Sequence, residues 1–256
     1  MRATENRKPV CLITGGSSGI GLATAVRFAG QGYQLAICGR REAALRIAEQ
    51  AIRLAGKIHG IECFSCVTDL NDVDQAQQFA QQSLDKFGRI DVLVNNAAAA
   101  PLAPFEEISA ESFECAINTN IRSLFYLTQI VWAEMKRRAT ESEATGDRER
   151  GVVVNVSSLA AVDPFPGFSL YGACKSWLDL LTIALATEGR EMGLRVCSIR
   201  PGAVETPLLR RLFPDFPADQ VVQPEAIAEA VWACVERPVD FPSGQAFPIS
   251  NQLAVD

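Results

Sequence analysis

The sequence contains no long hydrophobic run. The segment that precedes Gly15 and Gly16 has only a short apolar stretch, at residues 10–14. This stretch is too short for the core of a signal peptide, and it is far below the roughly 20 residues of a membrane-spanning helix. We therefore expect a cytoplasmic chain that does not enter a membrane.

Positive charge is also scarce. Lys and Arg total 24 against 30 Asp and Glu, which gives a net charge of -6, and the isoelectric point is about 5.0. Binding to nucleic acid depends on a basic surface that neutralises phosphates. The composition therefore argues against a nucleic-acid partner.

Histidine is nearly absent, which limits the options for metal binding. The only histidine is His59, and the pair in Cys63-Phe-Ser-Cys66 has no second pair of ligands at the spacing of a zinc site. The eight cysteines are scattered through apolar segments, which is typical of small buried side chains in a reducing compartment. We expect no metal site and no disulfide bonds.

The sequence does contain a regular alternation of two hydrophobic patterns. Short runs rich in Val, Ile and Leu predict strands, and they lie at residues 10–14, 34–38, 61–67, 91–94, 152–156, 194–199 and 245–249. Segments with helical periodicity lie between them, at residues 20–29, 42–54, 72–87, 110–138, 171–190 and 224–235.

This order predicts an α/β chain with a single domain over residues 1–256. Strands that are apolar along their whole length are typical of a parallel sheet covered on both faces. Alternating strands and helices are typical of a doubly wound, Rossmann-type fold. We expect a seven-stranded parallel sheet with helices on both faces. The polar residues 136–150 are interpreted as a solvated helix end and loop, with partner binding as the alternative.

A glycine-rich turn follows the first predicted strand. It reads Gly15-Gly16-Ser17-Ser18-Gly19-Ile20-Gly21, and a helical pattern comes directly after it. Glycines allow a sharp turn and a close approach of the backbone to a diphosphate, and the helix N-terminus offers free N–H groups to the phosphate oxygens. The context of strand, turn and helix therefore predicts a dinucleotide site rather than an ordinary turn.

Tyr171 and Lys175 are four residues apart in a helical pattern, so their side chains share one face. A phenol with a pKa near 10 is a poor acid-base catalyst at neutral pH. A neighbouring ammonium and a positively charged nicotinamide are expected to lower that pKa. The pair comes after the predicted strand 152–156 and the two serines that follow it, Ser157 and Ser158, which favours a catalytic interpretation over a surface pair.

Several motifs together resemble the short-chain dehydrogenase/reductase family, over roughly the first four-fifths of the chain. With Thr14, the glycine turn resembles the family's TGxxxGxG motif, and the segment from Asn95 to Ala98 resembles its NNAG motif with alanine in the last position. The Tyr171/Lys175 pair matches YxxxK. Further matches are Asn120, Ser158, and Pro201-Gly202 with Thr206.

The resemblance implies a catalytic group of Asn120, Ser158, Tyr171 and Lys175. Ser158 would bind the substrate oxygen, with Ser157 as the rival, and Asn120 would hold a water linked to Lys175, with Asn118 as the rival. Asn120 packed against backbone groups is the structural alternative. The implied cofactor contacts are Gly15, Ser17, Ser18, Gly19, Ile20, Gly21, Arg40, Asp69, Leu70, Asn96, Ala97, Tyr171, Lys175, Pro201, Gly202, Val204 and Thr206.

The end of the second strand bears on the choice of cofactor. An NAD site needs a carboxylate for the ribose 2′-hydroxyl, but the residues here are Gly39, Arg40 and Arg41. Arg40 can pair with a 2′-phosphate through charge-assisted hydrogen bonds. NADP(H) is therefore favoured over NAD(H), and solvated arginines are the alternative. Asp69 has a second interpretation as a helix cap.

The implied activity is hydride transfer between nicotinamide and a carbonyl or alcohol, as in an NADPH-dependent ketone or 3-oxoacyl reductase. The alternatives are an NADP-binding sensor without turnover, a hydroxysteroid-type dehydrogenase that uses NAD, and a methyltransferase-like use of the fold. Residues 207–222 are expected to form a variable substrate loop with an apolar pocket, in which Arg210 and Arg211 are solvated or meet an acidic group. The family resemblance also implies a homodimer or homotetramer.

Overall fold

The core of the molecule is one seven-stranded parallel sheet with the strand order β3-β2-β1-β4-β5-β6-β7. The computed structural model describes residues 8–145 and 151–251. The strands are β1 (Val10–Ile13), β2 (Gln34–Gly39), β3 (Cys63–Val67), β4 (Val92–Asn95), β5 (Val152–Val156), β6 (Arg195–Pro201) and β7 (Ala246–Ile249). All the pairings are parallel, which confirms the predicted sheet.

Helices cover both faces of the sheet. They are α1 (Gly19–Ala29), α2 (Glu42–Ala55), α3 (Val73–Phe87), α4 (Ala110–Ile117), α5 (Ser123–Thr145), α6 (Ser169–Gly189), α7 (Pro207–Leu212) and α8 (Pro224–Glu236). Helices α1, α2 and α8 pack on one face, and α3, α5 and α6 pack on the other. Alternate strand residues serve the two layers, so the strands are apolar on both sides. The Rossmann-type fold is confirmed.

The predicted helix at residues 110–138 differs from the observed structure in two ways. A π turn, Asn118–Arg122, separates α4 from α5, because one additional residue is accommodated there. Helix α5 also continues to Thr145. Arg138 and Ala139 are buried, so the solvated interpretation is wrong for this part of residues 136–150; residues 146–150 lie outside the described chain.

Arg138 is buried because it belongs to an ion cluster at the amino-terminal edge of the sheet. The Asp91 carboxylate accepts hydrogen bonds from Arg138 Nη2 at 2.8 Å, from Arg89 Nε at 2.9 Å and from the Val10 backbone N–H at 2.8 Å. Burial acts to raise the Asp91 pKa, but the bonds and charges of the two arginines together hold this pKa below its usual range. The cluster fastens α5 to the starts of β1 and β4.

A row of polar side chains crosses the sheet near its carboxyl edge. Asn95, Asn155 and Ser198 are paired neighbours on β4, β5 and β6. Asn95 donates to Asn155 Oδ1 at 2.9 Å and to Thr128 on α5 at 3.0 Å, and Ser198 donates to Asp179 on α6 at 2.7 Å. These buried bonds fix α5 and α6 against the strands whose ends carry the candidate site.

None of the helices within residues 8–145 and 151–251 combines the length and the hydrophobicity of a membrane span.

Candidate active site

The turn after β1 has the shape of a phosphate-binding loop. Gly15 and Gly19 have φ angles of +68° and +53°, in the left-handed region that favours glycine. A Cβ on Gly21 would lie 2.3 Å from the Gly15 carbonyl oxygen, so the loop packs directly on α1. Ser18, the N-cap residue of α1, makes no capping hydrogen bond with its side chain. The first turn of α1 therefore has no side-chain cap and suits an anion.

Thr14 connects this turn to the segment after β4. Its hydroxyl oxygen accepts hydrogen bonds from the backbone N–H groups of Asn96 at 3.0 Å and Ala97 at 3.1 Å. The Asn96 side chain in turn donates to the Thr14 carbonyl oxygen at 2.8 Å. The two loops at the centre of the sheet edge therefore form one hydrogen-bonded unit.

The segment after β6 faces the glycine turn. Pro201 ends β6, Gly202 follows it, and Val204 forms a parallel bridge with Val222. A Cβ on Gly19 would lie 3.0 Å from Thr206 Cγ2, so these two segments meet where glycine leaves room. The glycines where the turn after β1 meets the segment after β6 leave room for a ligand, and the first turn of α1 is uncapped. Both features fit the diphosphate of a dinucleotide.

The ends of β2 and β3 are suited to the adenosine half of such a ligand. Ser17 lies over Gly39, where a Cβ would be 2.7 Å from the Ser17 hydroxyl oxygen, and Arg40 is exposed beside it. Asp69 Oδ1 accepts from the Asn71 backbone N–H at 3.0 Å, and Leu70 is buried. The residue that caps α3 is Asp72, so the interpretation of Asp69 as the helix cap is wrong.

Ser158, Tyr171 and Lys175 come together beyond the end of β5. Ser158 hydrogen-bonds the Tyr171 hydroxyl, and Tyr171 lies in the first turn of α6. Lys175 follows one helical turn later, with Nζ 5.6 Å from the centroid of the Tyr171 ring. The Lys175 ammonium donates to the Val156 carbonyl oxygen at 2.7 Å. A hydroxyl, a phenol and an ammonium thus share one end of the sheet.

Burial dominates the ionisation of this group. It raises the pKa of Tyr171 to about 12, although the hydrogen bond with Ser158 acts in the opposite direction. It lowers the pKa of Lys175 to about 8. The expected lowering of the Tyr171 pKa by Lys175 is therefore not found in the protein without nicotinamide, because desolvation disfavours the charged form of both groups.

Asn120 lies inside the π turn and is almost fully buried. Its side chain donates to the Ala99 carbonyl oxygen at 2.8 Å and accepts from the Ala99 backbone N–H at 3.0 Å. It also hydrogen-bonds the thiol of Cys174, the residue before Lys175. The side chain thus packs against backbone groups, as in the structural alternative. Asn118 instead interacts with Arg122 and Asn71 at an exposed position.

The two serines after β5 have different surroundings. Ser157 is buried, and its hydroxyl donates to the Lys175 carbonyl oxygen at 3.2 Å. Ser158 is partly exposed, and its oxygen also accepts from the Ala160 backbone N–H at 3.1 Å. The hydroxyl of Ser158 therefore lies on the Tyr171 side, and that of Ser157 lies on the α6 backbone.

The loop that contains α7 is held by an ion pair that the sequence did not suggest. Arg210 Nε donates to Glu205 Oε1 at 2.8 Å, and Arg210 Nη1 donates to the Phe216 carbonyl oxygen at 2.6 Å. Arg210 is therefore paired within the loop, although 31% of its side chain remains exposed. The signal was the five-residue spacing of opposite charges across the start of α7, which by itself is too common to be informative.

Known proteins resemble this chain over almost its whole length. The model of the short chain dehydrogenase family matches residues 9–216. A 3-oxoacyl-[acyl-carrier-protein] reductase of Thermotoga maritima is 30% identical over 256 residues, which cover 96% of this chain and 98% of that protein. The 3-hydroxyacyl-CoA dehydrogenase type-2 of Bos taurus is 33% identical over 230 residues, which cover 86% of this chain and 84% of the relative.

Solved structures show the same architecture. A 3-ketoacyl-(acyl-carrier-protein) reductase from Brucella melitensis, complexed with NADH, superposes with a TM-score of 0.82 at 28% identity, covering 97% of this chain and 99% of the other. The structure of a levodione reductase superposes with a TM-score of 0.83 at 27% identity, covering 95% and 96% of the two chains.

Proposed function

Because the chain belongs to the short-chain dehydrogenase/reductase family and is an NAD(P)-dependent oxidoreductase of alcohol and carbonyl groups, we propose that it reduces ketones with NADPH. The observation that carries this proposal is the meeting of Ser158, Tyr171 and Lys175 at the carboxyl edge of the sheet, the edge that also carries the glycine turn. The 3-oxoacyl reductase of Thermotoga maritima, similar over nearly the full chain, supports a carbonyl substrate.

The cofactor would lie along the carboxyl edge of the sheet. The uncapped first turn of α1 and Thr206 would hold its diphosphate, and Asn96 and Ala97 would lie beside its central part. When bound there, a nicotinamide dinucleotide supplies the hydride. The chain's own residues supply the binding, the orientation and the proton.

Tyr171 is the proposed proton donor. With its pKa raised to about 12 by burial, the hydroxyl stays protonated at neutral pH, and its proton can be given to the oxygen of a reduced carbonyl, which leaves the phenolate on Tyr171. Ser158 would hold that same oxygen by a hydrogen bond. Ketone reduction uses this protonated form, whereas alcohol oxidation needs the phenolate.

Lys175 would replace the proton that Tyr171 gives away. Its pKa of about 8 lies close to neutral pH, so this ammonium gives up a proton more readily than an exposed lysine does. Since the side chain of Asn120 is held by Ala99, Asn120 would act through its backbone carbonyl in the π turn rather than through its amide.

The proposed preference for NADPH comes from the end of β2. Gly39 offers no carboxylate to a ribose 2′-hydroxyl, while Ser17 and Arg40 border the same position. A charge-assisted pair with a 2′-phosphate contributes about 1.5–3 kcal/mol, which corresponds to roughly ten to a hundredfold tighter binding of NADPH than of NADH.

Fluorescence titration with both dinucleotides tests this preference. Arg40→Ala should weaken NADPH binding about tenfold or more and leave NADH binding unchanged. Arg46→Ala, on the helix α2 that follows Arg40 and paired with Glu42, is the matched control. Equal dissociation constants for NADPH and NADH in the unmodified protein would exclude the proposed role of Arg40. Gly39→Asp is a poorer variant, because its Cβ would collide with Ser17.

The reductase activity itself is tested by NADPH consumption at 340 nm with a panel of ketones and 3-oxoacyl thioesters. Turnover of at least one carbonyl compound, with retention of cofactor binding in Tyr171→Phe, is expected. A protein that binds NADPH tightly but reduces no carbonyl compound would show that the proposal is wrong.

We also propose a homodimer or homotetramer. Helices α5 and α6 expose large apolar side chains, including Phe125, Tyr126, Leu180 and Ile183. Exposed apolar residues grouped on neighbouring helices are typical of an interface between subunits. Light scattering at micromolar concentration should give a mass of two or four chains, and a monomer would contradict this part of the proposal.

A further inference from the structure

Four phenylalanines form a continuous cluster beside Tyr171, which we name the aromatic wall: Phe165, Phe168, Phe213 and Phe216. The Phe168 ring lies 5.1 Å from the Tyr171 ring, measured between centroids. Phe165 packs on Phe168 at 4.4 Å with an interplanar angle of 87°. Phe213 lies 5.8 Å from Phe165 and 6.0 Å from Phe168. The proposed proton donor is therefore the last ring in a series of contacting rings.

The aromatic wall joins two segments that are far apart in the sequence. Phe165 and Phe168 precede α6, whereas Phe213 and Phe216 follow α7. Arg210 stabilises the second segment by pairing with Glu205 and by donating to the carbonyl oxygen of Phe216 at 2.6 Å. These polar bonds hold the second segment of the wall in position, and they engage Arg210 within the chain.

The wall remains partly accessible from outside. Phe168 is buried, but 48% of the Phe165 surface is exposed, and Phe213 and Phe216 are half-buried. Aromatic rings bind other rings in edge-to-face or offset geometry, with a gain beyond the area that is buried. A flexible alkyl chain gains only the burial term and loses rotational freedom on binding.

Given the proposed ketone reductase function, we propose that the preferred substrate carries an aromatic ring on one side of its carbonyl group. The ring packs against the exposed edges of Phe165 and Phe213, and the carbonyl oxygen then meets the hydroxyls of Tyr171 and Ser158. The wall selects the aromatic substituent, and the catalytic group is unchanged by this choice.

The test compares two methyl ketones with eight carbon atoms each, acetophenone and 2-octanone. We expect the ratio of kcat/KM for acetophenone to kcat/KM for 2-octanone to fall about fivefold to tenfold in Phe165→Leu and in Phe213→Leu. Each variant removes a ring contact of the kind that double-mutant cycles measure. Differences in intrinsic reactivity cancel, since the same two ketones are compared in each variant. Phe64→Leu, which alters the distant Phe64/Phe79 pair, should leave the ratio unchanged.

Two further measurements separate the possible failures. An acetoacetyl thioester is assayed beside the two ketones; if it is the better substrate and the wall variants do not change the aryl-to-alkyl ratio, the inference is wrong while the reductase function stands. If nothing is reduced, the proposed function fails. Saturation-transfer NMR then measures whether acetophenone binds to the protein, which tests the inference without turnover. Binding that is weakened by Phe213→Leu but not by Phe64→Leu supports the wall, and absence of binding overturns it.

Discussion

Two buried ionisable groups at opposite edges of the sheet have opposite surroundings: Asp91 at the amino-terminal edge is paired with opposite charges, and Lys175 at the carboxyl edge is bonded to a neutral carbonyl group. At the amino-terminal edge, Asp91 is surrounded by Arg89, Arg138 and the Val10 backbone N–H, and its pKa is held low. At the carboxyl edge, the buried ammonium of Lys175 has a backbone carbonyl as its hydrogen-bond acceptor. The pKa values of Tyr171 and Lys175 consequently move towards their neutral forms.

This contrast separates stability from chemistry. Paired charges at the amino-terminal edge stay ionised through neutral pH and fasten a helix to the sheet. Burial brings the pKa of Lys175 towards neutral pH, which is the condition for acid-base catalysis, and it keeps Tyr171 in its protonated form. Changes at the first edge should therefore affect folding, and changes at the second should affect turnover.

The largest expected effect is that of Tyr171→Phe. Loss of the proposed proton donor should lower kcat about 10²–10⁴-fold. The cofactor dissociation constant and the thermal midpoint should stay near wild type, because the variant loses one oxygen and almost no volume. Steady-state kinetics combined with cofactor titration check this. A variant that keeps more than about a tenth of the wild-type kcat would contradict the role of Tyr171.

The corresponding change at the other edge is Asp91→Asn. It leaves the buried Arg138 and the partly buried Arg89 without the carboxylate, and we expect the free energy of unfolding to fall by about 3–5 kcal/mol. The turnover of the folded protein should be unchanged. Urea denaturation measures the first effect, and kinetics on the folded fraction measure the second. A large loss of kcat without a loss of stability would contradict the separation of the two edges.

Asp91 also predicts a pH dependence of stability. Its folded pKa lies below the unfolded value, so its contribution is complete above about pH 4 and is lost as the pH falls through the folded pKa. The acid side of the stability curve should therefore be flatter in Asp91→Asn than in the wild type.

The pH dependence of turnover sharpens the comparison from the catalytic side. Because Tyr171 has a pKa of about 12, the rate of oxidation of an alcohol should rise with pH, by up to about tenfold per unit. The rate of ketone reduction should be steady near neutrality and fall above about pH 8, where Lys175 loses its charge. Profiles of kcat/KM in both directions are the measurement, and a reduction rate that rises with pH would be incompatible with this assignment.

The smallest effect belongs to an exposed charge pair. Arg46 and Glu42 form an i,i+4 pair on α2, with most of both side chains in solvent. Arg46→Ala should change the free energy of unfolding by less than about 1 kcal/mol. A loss of unfolding free energy as large as that of Asp91→Asn would mean that burial does not determine how much an ion pair contributes to the stability of this protein.

The fold could be predicted from the sequence because its main determinants are local. Apolar runs of strand length and helical segments between them specify a parallel sheet, and the observed strand bounds differ from the predicted ones by at most two residues at each end. The glycine turn was similarly clear, since Gly15 and Gly19 adopt positive φ angles that few other residues tolerate.

Features that depend on contacts between distant segments cannot be predicted from local sequence patterns. Arg138 has the sequence context of a surface residue in a highly charged stretch, and its contacts with Asp91, 47 positions away, and with the Ile90 carbonyl oxygen explain its burial. The raised Tyr171 pKa was also missed, because spacing places Lys175 beside Tyr171 but does not show how far both are removed from water. The π turn at Asn120 has no periodic signature in the sequence.

The π turn has a consequence for how this chain can vary. Each residue in an α-helix advances the chain by about 100° around the axis, so removing one residue from the π turn Asn118–Arg122 would rotate all of α5 relative to α4. Thr128 would then turn away from Asn95, and Arg138 from Asp91, although neither contact lies near the deletion. Substitutions in this segment are therefore local events, whereas a change of its length by one residue is a change to the whole molecule.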